Sequence, residues 1–345
     1  CVFLEIIYRN EISKNTQFNK IDIFLFKYYI SIYYIMEQLR EKINADRKVK
    51  PITIDGYLRN IRMLANATTG QDFDGNIDFL KDITSIKAEL KTKPLSTQKT
   101  YLASISVVGG VGGLDEEVLS KYRTTLAATK DAYRENLAGR NKSEREADNW
   151  VSLKDLEKVL KSLGRNVRER NIGKKDDLSK KDFKLLQQFV IASLYLLDNE
   201  PRRNIYSSMS VITDPKDVEA GKNYLYVKGR NKKYFIINQQ KSKKFRGKTQ
   251  NILVNSKLNK VLNIWLKYNK SGTLLLDSLG KQMNGNQLTK ALNVIFEDTG
   301  KKISSSMLRK IWLSDTYGET LTKMEESANA MGHSTGTAAL HYIKK

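Results

Sequence analysis

The chain has 345 residues, of which 40% are hydrophobic, and its 60 lysines and arginines outnumber 38 aspartates and glutamates to give a formal net charge of +22. This length predicts two domains rather than one, and the hydrophobic content is sufficient for two buried cores. The charge excess favours a polyanionic partner, of which nucleic acid is the default.

Cysteine and histidine are scarce in this chain. The single cysteine, Cys1, excludes an internal disulfide, and with only His333 and His341 beside it we expect no zinc site and no cofactor. The most apolar run, residues 21–36, contains charged side chains and is shorter than the roughly 20 residues that cross a bilayer. We therefore expect neither a membrane nor a small-molecule substrate as a partner.

Residues 1–35 differ in composition from the rest of the chain. They contain no methionine and are crowded with isoleucine, tyrosine, phenylalanine, lysine and asparagine, as translated AT-rich sequence tends to be. Met36 then opens a more ordinary protein sequence. We expect residues 1–35 to be a doubtful extension and the native chain to begin at Met36, with an amphipathic N-terminal arm as the alternative.

Residues 36–140 predict a small helical domain. Its first helix has Thr53 as a candidate cap, and the segments 75–92, 95–113 and 114–139 predict three more helices. No strand pattern interrupts them, and their basic faces could lie along a DNA backbone. In the first helix, apolar side chains recur at helical spacing at Ile54, Tyr57, Leu58, Ile61 and Leu64.

Residues 141–150 predict a linker, because they are charged and lack long apolar side chains until the last position. A second domain is expected at 151–345. It begins with a helix capped by Ser152, after which residues 161–182 are polar enough to predict a loop.

A buried helix is predicted at 183–197, and the chain breaks before Pro201. Arg202 and Arg203 follow at the turn, where two arginines are most simply a solvated helix start. Three runs of alternating apolar residues then predict a small antiparallel β-sheet, at 223–229, 232–238 and 250–255.

The segment 239–250, between the second and third predicted strands, is strongly basic. Taken alone it is most simply a solvated turn. Two amphipathic helices are predicted at 256–272 and 286–302. The chain is therefore expected to be mainly α with a small antiparallel β-sheet, arranged as a helical domain followed by an α+β domain.

The last stretch combines residue types suited to phosphate chemistry. Arg309 precedes His333 by 24 residues, and Tyr342 follows His333 by nine. An arginine fork can hold two non-bridging phosphate oxygens, a histidine can share a proton near neutral pH, and a tyrosine can attack phosphorus where positive charge stabilises its phenolate. Taken alone, a histidine and a tyrosine near a terminus are more often packing residues with a solvated tip.

This order resembles the C-terminal end of the tyrosine recombinase (phage-type integrase) family, whose pattern runs His-x-Leu-Arg, Leu-Gly-His and then the nucleophilic tyrosine. The matches here are Ser306-Met307-Leu308-Arg309, Met331-Gly332-His333 and Tyr342. Ser306 stands where the family usually has its first histidine. A serine can still donate a hydrogen bond to a phosphate oxygen, but it cannot accept a proton at pH 7.

The resemblance implies roles for two further basic residues. Arg202 occupies the slot of the family's first catalytic arginine, with Arg203 as the alternative because the glycine of the family's Thr-Gly-x-Arg turn is missing. Lys241 is the nearest match to the family's catalytic lysine, whose ammonium can protonate a departing 5′ oxygen. Rival lysines in the same segment are Lys243, Lys244 and Lys248.

The resemblance also implies the activity and the partners. Integrases of large DNA viruses, virophages and similar mobile elements are the members most alike. A helical core-binding domain at 36–140 would clamp double-stranded DNA, and a catalytic domain at 151–345 would cleave it through a 3′-phosphotyrosine on Tyr342, without metal or cofactor. We expect a protein that is monomeric when free, assembles on paired DNA sites as a tetramer, and resides in the host's cytoplasm or nucleus.

Two other activities remain open at this point. A type IB topoisomerase would use nearly the same residues but would relax supercoils as a monomer. A catalytically decayed element that still binds DNA would retain the charge and lose the cleavage.

Overall fold

The computed structural model of the protein describes residues 20–197, 200–238 and 248–343. The fold is mainly α-helical with one small β-sheet, which confirms the predicted fold class. The chain divides into two compact units, 1–141 and 142–345, and each has a hydrophobic core of its own. Across the described residues, none of the helices combines the length and the apolar composition that crossing a bilayer requires.

The first unit is built from helices. Its elements are α1 Lys20–Arg47, α2 Pro51–Thr69, a 3-10 turn Asp78–Lys81, α3 Ile83–Lys91, α4 Leu95–Gly112 and α5 Glu116–Ala138. The central helix α4 packs against α2 and α5. Ile61 of α2 and Val108 of α4 are fully buried between them, and the hydroxyl of Tyr122 donates to the carbonyl of Leu80 at 2.7 Å. The core therefore depends on the apolar spacing that predicted these helices.

One detail of this unit differs from the prediction. Helix α2 begins at Pro51, and no side chain caps it, so the predicted cap at Thr53 is wrong. Proline is favoured at the first helical position because its missing N–H has no partner there in any case. Met36 lies inside α1, and the expected start of the native chain at Met36 stays a prediction. Residues 1–19 of the predicted extension lie outside the described residues.

In the second unit, helices both precede and follow the four strands along the chain. Helix α8 contacts α7, α9 and α10, and Trp265 of α9 is fully buried, with its indole N–H donating to the carbonyl of Leu274 at 2.8 Å. The elements are α6 Glu144–Asp148, α7 Leu153–Glu169, α8 Lys180–Leu196, β1 Ser210–Ile212, β2 Asn223–Val227, β3 Lys233–Ile237, β4 Gln250–Leu253, α9 Ser256–Tyr268, α10 Gly285–Ile295, α11 Ser305–Ala330, α12 Thr335–Thr337 and a π-helical turn Ala338–Tyr342.

The sheet has four strands in the order β1-β2-β3-β4. The three predicted strands are β2, β3 and β4, and they pair antiparallel. Strand β1 was not predicted and lies parallel to β2, so the sheet is mixed rather than purely antiparallel. With only three residues, β1 is too short to show an alternating pattern.

Two predicted irregular segments are partly helical. The predicted linker 141–150 contains α6, whose N-terminus is closed by a capping box between Ser143 and Glu146. The predicted loop 161–182 is helical as far as Glu169, because Gly164 and Val167 continue the buried side of α7 beneath a polar exterior.

Candidate active site

The segment 201–204 follows α8 in the chain and begins with the buried Pro201. A hydrogen bond attaches this segment to the core. Tyr195 of α8 is fully buried, and its hydroxyl donates to the carbonyl oxygen of Arg203 at 3.1 Å. Burial raises the pKa of Tyr195, so this hydroxyl keeps its proton and remains a donor. The backbone that carries Arg202 and Arg203 is therefore held from inside the unit.

The start of α11 is attached to the same segment. The hydroxyl of Ser305, a buried residue, donates to Oδ1 of Asn204 at 2.5 Å. Ser304 caps the helix by accepting from the backbone N–H of Met307. These bonds fix the first turn of α11 beside Asn204, and Arg309 follows on the next turn.

The start of α10 closes the other side of Asn204. A Cβ placed on Gly285 would lie 2.9 Å from Nδ2 of Asn204, which is closer than real Cβ atoms approach another heavy atom. Any larger residue at this position would therefore displace the Asn204 side chain.

Arg202, Arg203 and Arg309 form a positively charged cluster, which we call the arginine cluster. Burial lowers the pKa of Arg309, and the nearby Arg203 and Arg202 lower it further. The Nε atom of Arg202 is buried and has no hydrogen-bond partner among the described residues. The salt bridges seen in the described part of this unit, such as Lys310 with Glu146, involve none of the three arginines. The cluster is thus equipped to bind a dianionic or monoanionic oxygen group.

Ser306 is exposed, whereas the hydroxyl of its neighbour Ser305 is buried and donates to Asn204. The role expected for Ser306 stays a prediction. Ser305, Tyr195, Asn204 and Gly285 were not anticipated from the sequence. The available signal for Ser305 was its i, i+4 spacing to Arg309, which places the two side chains on one side of the helix.

His333 and Tyr342 form a stacked pair. Their ring centroids are 4.8 Å apart and the planes differ by 10°. The backbone N–H of His333 donates to the carbonyl of Ala328 at 3.0 Å just after α11 ends, and Gly332 supplies the required positive φ of 75°. Tyr342 is 66% exposed, whereas Nε2 of His333 is buried without a hydrogen-bond partner in the described ranges.

The arginine cluster and the His333–Tyr342 pair lie at opposite ends of α11. Arg309 is close to the first residue of this helix, and the pair follows Ala330, the last of its 26 residues. At a rise of about 1.5 Å per residue, the helix separates Arg309 from Ala330 by about 30 Å. The structure therefore assembles the three arginines with one another, and His333 with Tyr342, but it does not bring these two groups together.

Of the four predicted lysines, only Lys248 lies within the described residues. Lys241, Lys243 and Lys244 lie outside the described residues, and Lys248 is exposed just before β4. The role expected for Lys241 therefore stays a prediction.

A different lysine, Lys233, was missed and is almost completely buried at the start of β3. Its ammonium donates to Oδ1 of Asn259 at 2.8 Å, to Oδ1 of Asn263 at 2.5 Å and to the carbonyl of Arg230 at 3.0 Å. Burial lowers its pKa. The sequence signal was the spacing of two residues, which places Lys233 on the same face of β3 as the inward residues Phe235 and Ile237. Through these hydrogen bonds, Lys233 connects the exposed basic turn 228–232 to α9.

Within the described ranges, no group of three or more His, Cys, Asp and Glu side chains is arranged to hold a metal ion.

Comparison with known proteins gives no family assignment. No family model matches the chain, and no curated protein matches it. Among solved structures, the chain is similar to the crystal structure of XerA recombinase, with 9% sequence identity and a TM-score of 0.30 over 91% of this chain and 94% of that chain. A similarity at this level is distant.

Proposed function

We propose that the protein is a tyrosine recombinase that cleaves and rejoins DNA strands at specific sites. The observation that carries this proposal is the arginine cluster, because Arg202 and Arg203 lie near enough to lower the pKa of Arg309 and no described carboxylate pairs with the three arginines. A phosphodiester supplies the missing negative charge and accepts bidentate hydrogen bonds from arginine.

In the proposed reaction, Arg202 and Arg309 bind the non-bridging oxygens of the scissile phosphate. The hydroxyl oxygen of Tyr342 forms a bond to phosphorus as its proton is lost, with His333 assisting, and the bond from phosphorus to the 5′ oxygen breaks. Lys241 protonates that departing oxygen. Attack by the 5′ hydroxyl of a second strand on the 3′-phosphotyrosine reverses the step, so the two strands are rejoined without an external energy source.

The first unit offers a surface for DNA in this proposal. A groove of about 510 Å³ between α2, α4 and α5 is lined by Tyr57, Tyr133 and three cations, Lys99, Lys130 and Arg134. The ammonium of Lys99 lies 3.8 Å from the ring centroid of Tyr133, which holds both side chains in the groove. Such a groove suits contact with a phosphate backbone and agrees with the net charge of +22.

We propose double-stranded DNA as the partner, tetramer assembly on paired sites, and a place in the host's cytoplasm or nucleus. The biological role would be the integration or excision of a viral or mobile element. A protein that binds DNA without cleaving it is the alternative, and the separation of Arg309 from Tyr342 along α11 is the observation that favours it.

Nicked duplexes test the proposal, because a nick next to the cleavage site lets the short leaving strand diffuse away and traps the covalent complex. The full chain is incubated with a pool of nicked duplexes of randomised sequence, and protein–DNA adducts are detected after denaturation. We expect adducts with the wild-type chain and none with Tyr342→Phe, which should bind the pool almost as tightly. Absence of adducts with the wild type would leave the binding-only alternative.

A further inference from the structure

The apolar side of helix α5 continues beyond the core of the first unit. Leu126 is buried, Tyr133 follows it at i+7, and Leu137 follows Tyr133 at i+4, so all three lie on one side of the helix. Tyr133 is only half-buried and Leu137 is 55% exposed. These two residues line the groove between α2, α4 and α5 together with Lys130 and Arg134. The end of α5 thus opens its apolar side into this groove, which we call the α5 groove.

The α5 groove combines apolar surface with positive charge. Tyr57 of α2 and Ala103 of α4 extend the apolar lining that α5 provides. Of the cations, Arg134 pairs with Asp131 at 3.1 Å. Lys130 takes part in none of the salt bridges seen among the described residues of this unit. The groove therefore offers an apolar surface beside a cation that no carboxylate neutralises.

The contact between Lys99 and Tyr133 orders one wall of the groove. The ammonium of Lys99 lies 3.8 Å from the ring centroid of Tyr133, and this attraction restricts both side chains. An ammonium has three donors, so Lys99 can bind a phosphate oxygen while it stays over the ring. The groove can therefore accept an anion without losing its aromatic wall.

The size of the groove and its mixed lining indicate the kind of ligand. Its volume of about 510 Å³ lies within the range of roughly 300–1,000 Å³ that is usual for sites that enclose small organic ligands. A paired duplex keeps the faces of its bases inside its own stack and would contact only the cations. An unpaired nucleotide presents a base face that stacks on aromatic side chains, and its phosphates bind the nearby cations. The lining therefore fits an unpaired nucleotide better than it fits the backbone of a duplex.

We propose that the α5 groove binds unpaired nucleotides of DNA, with a base against the apolar lining and the adjoining phosphates on Lys99 and Lys130. This inference rests on the proposed function, which supplies DNA as the partner. Cleavage also supplies an unpaired strand, because the strand with the free 5′ hydroxyl must leave its complement before it attacks a second phosphotyrosine. The groove holds such a strand and delays its return to the original complement.

Two labelled oligonucleotides separate contacts to bases from contacts to phosphates. One is a single-stranded oligothymidylate, and the other is an abasic oligomer of the same length that keeps every phosphate and lacks every base. Their binding to the full wild-type chain is measured by fluorescence anisotropy. We expect the oligothymidylate to bind at least about fivefold more tightly, which corresponds to the stacking of one base. Equal affinities would overturn the inference.

Substitutions in the apolar lining test whether the bases bind in this groove. Leu137→Ala and Tyr133→Ala should each bring the ratio of the two affinities toward one, with folding checked by thermal unfolding. Ile52→Ala is the matched control, because Ile52 is an apolar residue of the same unit that is 74% exposed and does not line the groove. The control should keep the wild-type ratio. A ratio that survives both substitutions in the lining would overturn the assignment to this groove.

A charge substitution tests the part assigned to the phosphates. Lys130→Gln should weaken the binding of both oligomers by a similar factor, because both carry the same phosphates, and it should leave their ratio unchanged. Lys91→Gln, at an exposed lysine at the end of α3, should weaken both oligomers less. Equal losses in the two variants would show that Lys130 has no special place in binding and would contradict the proposed site.

The outcomes keep this inference apart from the proposed function. A preference for bases needs no cleavage, so it is measured independently of the adducts on nicked duplexes. Adducts together with equal affinities for the two oligomers would overturn the nucleotide site and leave the recombinase proposal standing. A preference for bases that depends on the groove, without any adducts, would support the nucleotide site and contradict the recombinase proposal.

Discussion

Ser305 and Asn204 are 101 positions apart in the chain, and the hydroxyl of one donates to the side-chain oxygen of the other at 2.5 Å. This bond joins the first turn of α11, which carries Arg309, to the segment that carries Arg202 and Arg203. Since three guanidinium groups repel one another, the cluster needs such links to persist without a bound anion. The segments that carry the three arginines are therefore joined by neutral hydrogen bonds, and none of the salt bridges in the described part of the unit involves these arginines.

Ser305→Ala tests this link. The substitution removes a hydrogen bond worth about 1 kcal/mol of unfolding free energy, and we expect it to lower the yield of covalent adducts by about tenfold, because one misplaced arginine weakens transition-state binding by roughly 1.4 kcal/mol or more. Thermal unfolding and adduct yield provide the two readouts. Ser314→Ala is the matched control at an exposed serine of the same helix, and an equal loss of yield in that control would show that the buried bond is not the cause.

Gly285→Ala should separate stability from activity. Alanine favours a helix over glycine by about 1 kcal/mol, so stability should be little affected, whereas the added Cβ displaces the Asn204 side chain and should reduce adduct yield. Gly56→Ala is the control, because a Cβ at Gly56 meets no atom within 4 Å. Adding Asn204→Ala to Gly285→Ala should remove the clash. Unchanged adduct yield in Gly285→Ala would show that the position of Asn204 does not matter.

Lys233→Met leaves the side-chain oxygens of Asn259 and Asn263 without their donor, and we expect it to lower the free energy of unfolding by about 1–3 kcal/mol at pH 7. The lowered pKa of Lys233 in the folded state adds a pH dependence. The unfolded chain binds more protons between this lowered pKa and the ordinary value of 10.5, so wild-type stability should rise relative to the variant as pH increases through that window. Urea unfolding of both proteins from pH 7 to pH 10 measures the difference, and a gap that narrows with pH would contradict this account.

DNA binding should depend steeply on salt. Each phosphate contact releases condensed counterions, so the slope of log affinity against log salt tracks the number of contacts. Arg309→Ala should reduce the magnitude of that slope by about one. Binding measured by fluorescence anisotropy on a labelled duplex tests this. Affinity that stays flat from low to physiological salt would argue against an extended duplex interface.

The sequence predicted the elements of this fold well where one face is buried. The apolar spacing of α2, α9 and α10 identifies these helices because burial of one face imposes a period on each. The buried side chains of β2 and β3 do not alternate strictly, and their apolar runs identified them. Strand β1 was not predicted because its three residues are too few to show a period. The end of α7 was not predicted because its buried residues, Gly164 and Val167, lie among many polar side chains.

The candidate site was predictable only at the level of residue type. Arginine, histidine and tyrosine were selected for their chemistry, but their neighbours depend on contacts between distant segments. No local pattern shows that Tyr195 donates to the backbone of Arg203, or that Ser305 rather than Ser306 meets Asn204. Nor does the spacing of Arg309 and His333 reveal one unbroken helix, since Gly318 would allow either a straight or a bent path.

The central claim is that Tyr342 becomes covalently linked to DNA, and peptide mapping of the adduct tests it most directly. The wild-type adduct is isolated under denaturing conditions, digested with nuclease and protease, and analysed by mass spectrometry. The account predicts a nucleotide attached through its 3′ phosphate to Tyr342. Attachment to Tyr317, or to any other residue, would contradict it.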